Sequence, residues 1–121
     1  MEWVFIAFIA IFAFGYLFLR RPGQIPVKDA HEYLRNGAIV IDVRTADEFN
    51  ARHLPNAINI PVDEIETALP ARFADKNQPI LLHCNGGRRS AVAKTKLNAN
   101  GYVNVDNLGS YTRAERIVRS A

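Results

Sequence analysis

Cys84-Asn85-Gly86-Gly87-Arg88-Arg89-Ser90 follows the apolar run Pro79-Ile80-Leu81-Leu82-His83 and precedes the helical pattern Ala91-Val92-Ala93-Lys94-Thr95-Lys96-Leu97. This order reads as a strand, a tight loop and a helix. The chain's single cysteine therefore stands where the strand ends and the backbone must turn. Gly86 and Gly87 carry no side chain and tolerate positive φ, so the loop is expected to wrap closely around whatever the sulfur holds. The helix that follows offers unpaired N–H groups and the positive end of its dipole, which favour an anion. Arg88 and Arg89 add positive charge. Such surroundings turn a thiol into a thiolate, and they mark Cys84 as a candidate nucleophile rather than a small buried apolar residue.

Working outward, the 121 residues have room for one small domain and an appendage. The net charge of +3 is scattered, without the basic patch and interleaved aromatics expected of a nucleic-acid-binding surface. One cysteine excludes an intramolecular disulfide and a cysteine-based metal cluster. His31, His53 and His83 lie in unrelated surroundings, which argues against a metal site.

The pattern upstream of the loop alternates helix and strand. Lys28–Asn36 reads as a helix with Ala30, Tyr33 and Leu34 inward, ended by Gly37, and Gln24–Pro26 as a brief strand before it. Ala38–Val43 is continuous and β-branched, as expected for a central parallel strand covered on both faces. Asp42 and Arg44 end it. They read as structural, a strand-end carboxylate accepting backbone or arginine hydrogen bonds, in preference to an acid–base pair. Thr45-Ala46-Asp47-Glu48 has capping-box spacing and starts a short helix through Arg52, while His53 fixes the turn before Pro55. Ala57–Ile60 is another short strand. Asp63, Glu64 and Glu66 flank Ile65 and Leu69 as a solvated acidic helix face, and residues 70–77 form a polar connection. Beyond the loop, Val92, Leu97 and Tyr102 read as core contacts and Val103–Leu108 as a last strand. Arg113, Arg116 and Arg119 read as a solvated basic face. These elements predict an α/β domain with a mostly parallel central sheet, helices on both faces, and the Cys84 loop at the carboxyl end of a central strand.

Trp3–Leu19 is an uninterrupted apolar run, at the short end of the ~17–25 residues that span a bilayer. It is read as an N-terminal membrane anchor over residues 1–21, with a catalytic domain over 22–121. A cleaved signal that exports the domain to the periplasm is the alternative. Glu2 in place of a positive leading region favours the anchor. Arg20, Arg21, Lys28 and Arg35 follow the run and no basic residue precedes it. The positive-inside rule then predicts a single-pass inner-membrane protein with its domain in the cytoplasm.

Cys84, two residues, Gly87, one residue, Arg89 and Ser90 resemble the active loop of the rhodanese domains, single-domain sulfurtransferases. Ile41-Asp42-Val43-Arg44, Glu48-Phe49 and His53–Pro61 resemble that family's second signature, and the phage-shock rhodaneses are the most similar members. The resemblance covers about residues 24–112. It implies about five strands, a structural part for Asp42, Arg44 and Glu48, and transfer of a sulfane sulfur from thiosulfate or a related small anion through a Cys84 persulfide. Asn85, Gly86, Gly87, Arg88, Arg89 and Ser90 would bind the anion and the persulfide. Cyanide or a thiol would be the acceptor, with no cofactor or metal required.

Two other readings stand beside it, a cysteine-dependent phosphatase or arsenate reductase and a non-catalytic membrane-attached persulfide carrier or docking module. The phosphatase-type loops carry one more residue between cysteine and arginine than the four found here. The family's usual second glycine is Ser110, and its later tryptophan is absent.

Overall fold

The structure, a computed structural model, describes residues 1–19 and 23–121, with side chains described for 1–16 and 23–121. Four parallel strands, β1 (Ile39–Asp42), β2 (Ile58–Asn59), β3 (Ile80–His83) and β4 (Val105–Gly109), form one sheet in the order β2-β1-β3-β4. The helices are α1 (Glu2–Leu19), α2 (Val27–Arg35), α3 (Ala46–Ala51), α4 (Ile65–Arg72), α5 (Arg88–Ala99) and α6 (Tyr111–Arg119), with a 3-10 turn at Val62–Glu64.

Strand alternation divides the core between the two faces. Leu82 and Cys84 belong to one cluster, with Ile65 and Leu69 of α4 and Ala93 and Leu97 of α5. Leu81 belongs to the other, with Ala30 of α2 and Ala114 and Ile117 of α6. This is the expected α/β sheet with helices on both faces. β3 is buried along its whole length, which is why it reads as an unbroken apolar run.

Four strands are present among the described residues where about five were expected. Gln24–Pro26 is not a strand: Ile25 N–H donates to Asn107 O at 2.9 Å, and Pro26 then opens α2. Residues 70–72, expected in a loop, continue α4, with Pro70 inside its last turns. Val92, expected in the core, is half exposed. Arg113, expected on a solvated face, is partly buried and donates to Leu108 O and Ile25 O, tying the start of α2 to the end of β4.

The expected N-terminal anchor falls on α1. α1 has 18 residues, a rise of about 27 Å against a hydrocarbon core of about 30 Å, and it takes in Glu2, Gly15 and Tyr16. Among the described residues no helix is long and apolar enough to cross a membrane. Its side chains from Trp3 to Phe14 are exposed. Arg20 and Arg21, on which the expected orientation partly rests, and Pro22 lie outside the described residues.

Candidate active site

β3 delivers Cys84 to the floor of the loop, where it is 1% exposed. Its N–H donates to Gly109 O at 3.2 Å, which fixes the cysteine against β4. Gly87 takes φ +96° and N-caps α5. That turn brings the Gly87 N–H to 3.0 Å from Sγ, and the Ser90 hydroxyl stands 3.5 Å from it. Burial alone pushes the thiol pKa up. The Ser90 hydroxyl and the N–H groups of Ser90, Gly87 and Arg89 outweigh burial and hold it below its usual value.

The loop carbonyls have partners of their own. His83 Nδ1 lies 3.2 Å from Cys84 O, Tyr111 N–H donates to Asn85 O at 3.1 Å, and Gly87 O accepts from Ser90 Oγ and Asn107 Nδ2. A trans peptide points its C=O and N–H in opposite directions, and no peptide here is cis. Anchoring the 84 and 85 carbonyls therefore turns the N–H groups of Asn85 and Gly86 to the other side of the loop. The donors are in place before any ligand arrives, which is the condition for strong electrostatic stabilisation.

The two arginines separate. Arg89 grips Glu48 with Nη1 to Oε1 at 2.6 Å and Nη2 to Oε2 at 3.1 Å. That grip, with further bonds from Thr45 set against burial, lowers the Glu48 carboxyl to about 2. The expected capping box is present, Thr45 Oγ1 accepting from Glu48 N–H and Glu48 Oε1 from Thr45 N–H. Glu48 thus holds the start of α3 and the active loop together. Arg88 is exposed, and its side chain makes no hydrogen bond or ion pair among the described residues.

Asp42 and Arg44 form a buried pair beneath the loop. Arg44 Nε and Nη2 reach the Asp42 carboxylate at 3.0 and 2.8 Å, and Nη2 also donates to Arg52 O. With Nε and Nη2 both engaged on protein groups, the pair braces the end of β1. His83, beside it, is missed by sequence reasoning that finds the three histidines unrelated. Burial lowers its pKa despite Asp42, and Nε2, 3.8 Å from Asp42 Oδ2, has no hydrogen-bond partner among the described residues. Period-two alternation from Cys84 is the signal that places it on the opposite face of β3, under the loop.

Two glycine expectations are refined. Gly87 needs its φ, and an added Cβ would lie 3.4 Å from the Gly109 backbone; at Gly86 φ is not positive and a Cβ would meet nothing within 4 Å. Ser110 causes no difficulty, because at φ −71° it is extended and its hydroxyl caps α6 by accepting from Arg113 N–H. Tyr111, the next residue, lies between the guanidinium groups of Arg44 and Arg52 at 4.8 and 4.7 Å.

A groove of about 180 Å³ opens beside Arg88 and Arg89, lined also by Val62, Asp63, Val92 and Lys96. A larger cavity of about 480 Å³ lies at the opposite end of the sheet among Asp29, Glu32 and Asp106. Its carboxylates would repel an anion, so the smaller groove and the loop form the candidate site for one.

A family model described as Rhodanese-like domain matches residues 26–113. The thiosulfate sulfurtransferase PspE of Escherichia coli K12 is 39% identical over 69 residues, covering 57% of this chain and 66% of that protein. The senescence-associated protein DIN1 of Raphanus sativus is 32% identical over 104 residues, covering 76% and 56% respectively. The chain thus spans less than two thirds of the length of these curated relatives. Among solved structures, a rhodanese with anions from E. coli is 35% identical with a TM-score of 0.61, covering 64% of this chain and 91% of that one. The human single domain sulfurtransferase TSTD1 is 25% identical with a TM-score of 0.65, covering 78% and 96%.

Proposed function

The chain belongs to the rhodanese-like domain family, and from that premise we propose that it is a thiosulfate sulfurtransferase working through a persulfide on Cys84. The observation that carries the reading is the setting of Sγ, with Gly87 N–H at 3.0 Å and the Ser90 hydroxyl at 3.5 Å lowering its pKa in a ring of preset donors. The Cys84 thiolate attacks the outer sulfur of thiosulfate. A bond forms between Sγ and that sulfur, the bond to the sulfonate sulfur breaks, and sulfite leaves with the electron pair. The terminal sulfur then carries the negative charge within reach of the loop N–H groups from Asn85 to Ser90. Cyanide or a thiolate attacks it in the second step, and the electron pair of the broken S–S bond returns to Cys84.

In this account Arg88 receives the donor's sulfonate through charge-assisted hydrogen bonds, because its guanidinium is uncommitted. Arg89, already held by Glu48, braces the loop, and Asp42 with Arg44 supports the strand end beneath it. The printed function of the PspE relative supports the choice of thiosulfate. The shorter spacing of cysteine to arginine argues for a sulfur-sized ring over one for a tetrahedral oxyanion.

The test measures thiosulfate:cyanide turnover and aryl phosphate hydrolysis in the wild type and in Cys84→Ser. The reading expects the first activity in the wild type only and the second in neither. Phosphate release that depends on Cys84, without sulfur transfer, would replace it with the phosphatase alternative.

A further inference from the structure

The groove beside the loop extends farther than thiosulfate needs. On α5, Arg88, Val92 and Lys96 stand four residues apart, so they share one stripe of the helix. The eight steps from Arg88 to Lys96 rise about 12 Å. Across from this stripe lie Val62 and Asp63 of the 3-10 turn. The near end holds the uncommitted Arg88 guanidinium, the middle is apolar at Val62 and Val92, and the far end is the Lys96 ammonium.

Charge separates the positions along it. Arg89 is taken by Glu48, whereas Lys96 faces Glu66 only at 3.9 Å, and that carboxylate is half exposed. Such a pair is weak enough to exchange for a ligand carboxylate. Asp63, exposed at the rim, disfavours an anion in the middle of the groove while leaving an apolar spacer unopposed. At about 180 Å³ the groove suits a small linear molecule rather than a nucleotide or a folded peptide.

We propose that this groove is an acceptor subsite and that it selects a thiol acid, a small thiol whose carboxylate is separated from its sulfur by an apolar spacer. The proposal rests on the sulfurtransferase reading and names its second substrate class. The thiol enters as thiolate with its carboxylate at Lys96 and its spacer between Val62 and Val92. Its sulfur attacks the terminal sulfur of the Cys84 persulfide. An S–S bond forms on the acceptor, the S–S bond to Cys84 breaks, and the electron pair returns to Sγ, where Gly87 N–H and Ser90 receive it. The product is the persulfide of the thiol acid, and no further oxidant or reductant takes part.

The experiment loads the full chain with thiosulfate, removes excess donor, and follows discharge of the persulfide by mercaptohexanoate, its neutral counterpart mercaptohexanol, and the shorter mercaptopropionate. Cyanide discharge of the wild type establishes that the persulfide formed. The expected result is faster discharge by mercaptohexanoate than by the other two. Lys96→Gln should lower the mercaptohexanoate-to-mercaptohexanol rate ratio about threefold to fivefold. Lys94→Gln, which removes the same charge from the same helix off the stripe, should leave that ratio in place. Equal discharge by acid and alcohol in the wild type overturns the subsite, as does an equal effect of the two lysine replacements. If neither thiosulfate nor inorganic polysulfide loads Cys84, the sulfurtransferase reading itself fails and the subsite falls with it.

Discussion

Alanine at Gly87 and alanine at Gly86 should have opposite consequences, although the two residues are neighbours in one loop. At Gly87 the backbone stands at φ +96°, and an added Cβ would approach Gly109 C and Cα to 3.4 Å and Gln24 Nε2 to 3.6 Å. The left-handed conformation costs an L-residue about 1–2 kcal/mol, which corresponds to roughly 5–15 °C in Tm for a domain of this size. The chemistry suffers as well, because relieving the strain moves the Gly87 N–H that reaches Sγ at 3.0 Å. Loss of that donor leaves burial less opposed and raises the thiol pKa. At Gly86 φ is not positive and the space around a Cβ is empty. Alanine there restricts the unfolded chain and should be neutral or stabilising by up to about 1 kcal/mol. Thermal unfolding reads the first effect, and the pH dependence of alkylation by iodoacetamide reads the second. Equal losses in the two variants, or a greater loss at Gly86, would refute the assignment of the turn to Gly87.

Other outcomes follow from the same geometry. Glu48 is depressed from 4.5 to about 2 by its bonds to Arg89 and Thr45, so its contribution to stability is complete above about pH 4.5 and disappears as pH falls through about 2. In acid unfolding curves, Glu48→Gln should be the less stable protein near neutrality and converge with the wild type near pH 2; parallel curves would count against the pair. Arg88→Ala should raise KM for thiosulfate roughly tenfold or more, the loss of a charged hydrogen bond, while leaving Tm near that of the wild type. Unchanged KM would remove Arg88 from donor recognition. His83→Leu leaves Cys84 O without its side-chain partner and should cost about 1–3 kcal/mol in denaturant unfolding, with donor KM rising as the loop peptide loosens. His83→Asn keeps a donor near the same carbonyl and should recover part of both; no recovery would assign His83 to packing alone.

The parts of the fold legible in the sequence are those decided by near neighbours. The loop could be read because strand, turn and helix are contiguous from Pro79 to Leu97. The Thr45–Glu48 capping box could be read because its two hydrogen bonds join residues three apart. What sequence reasoning missed depends on distant packing. Arg113 looks like a third surface arginine until Ile25 and Leu108 bring their carbonyls to it from two other elements. Gln24–Pro26 has strand-like residues but reaches the edge of β4 with a single N–H before Pro26 starts a helix. Pro70 suggests a break, yet it falls in the last turns of α4, where one lost backbone bond is tolerated while Ile65 and Leu69 stay buried. The apolar run at the N-terminus is legible as a helix because its residues are contiguous, and α1 covers Glu2–Leu19. At the candidate site, Cys84 and both arginines stand out in the sequence because they are contiguous, but the pairing of Arg89 with Glu48, 41 residues upstream, does not.

Intact-protein mass after incubation with thiosulfate tests the central claim most directly. The wild type should gain the mass of one sulfur atom, lose it on addition of cyanide, and gain it again with fresh thiosulfate, while Cys84→Ser should keep its original mass throughout. A wild-type protein that takes up no sulfur, or a Cys84→Ser protein that takes it up and releases it to cyanide, would contradict the account.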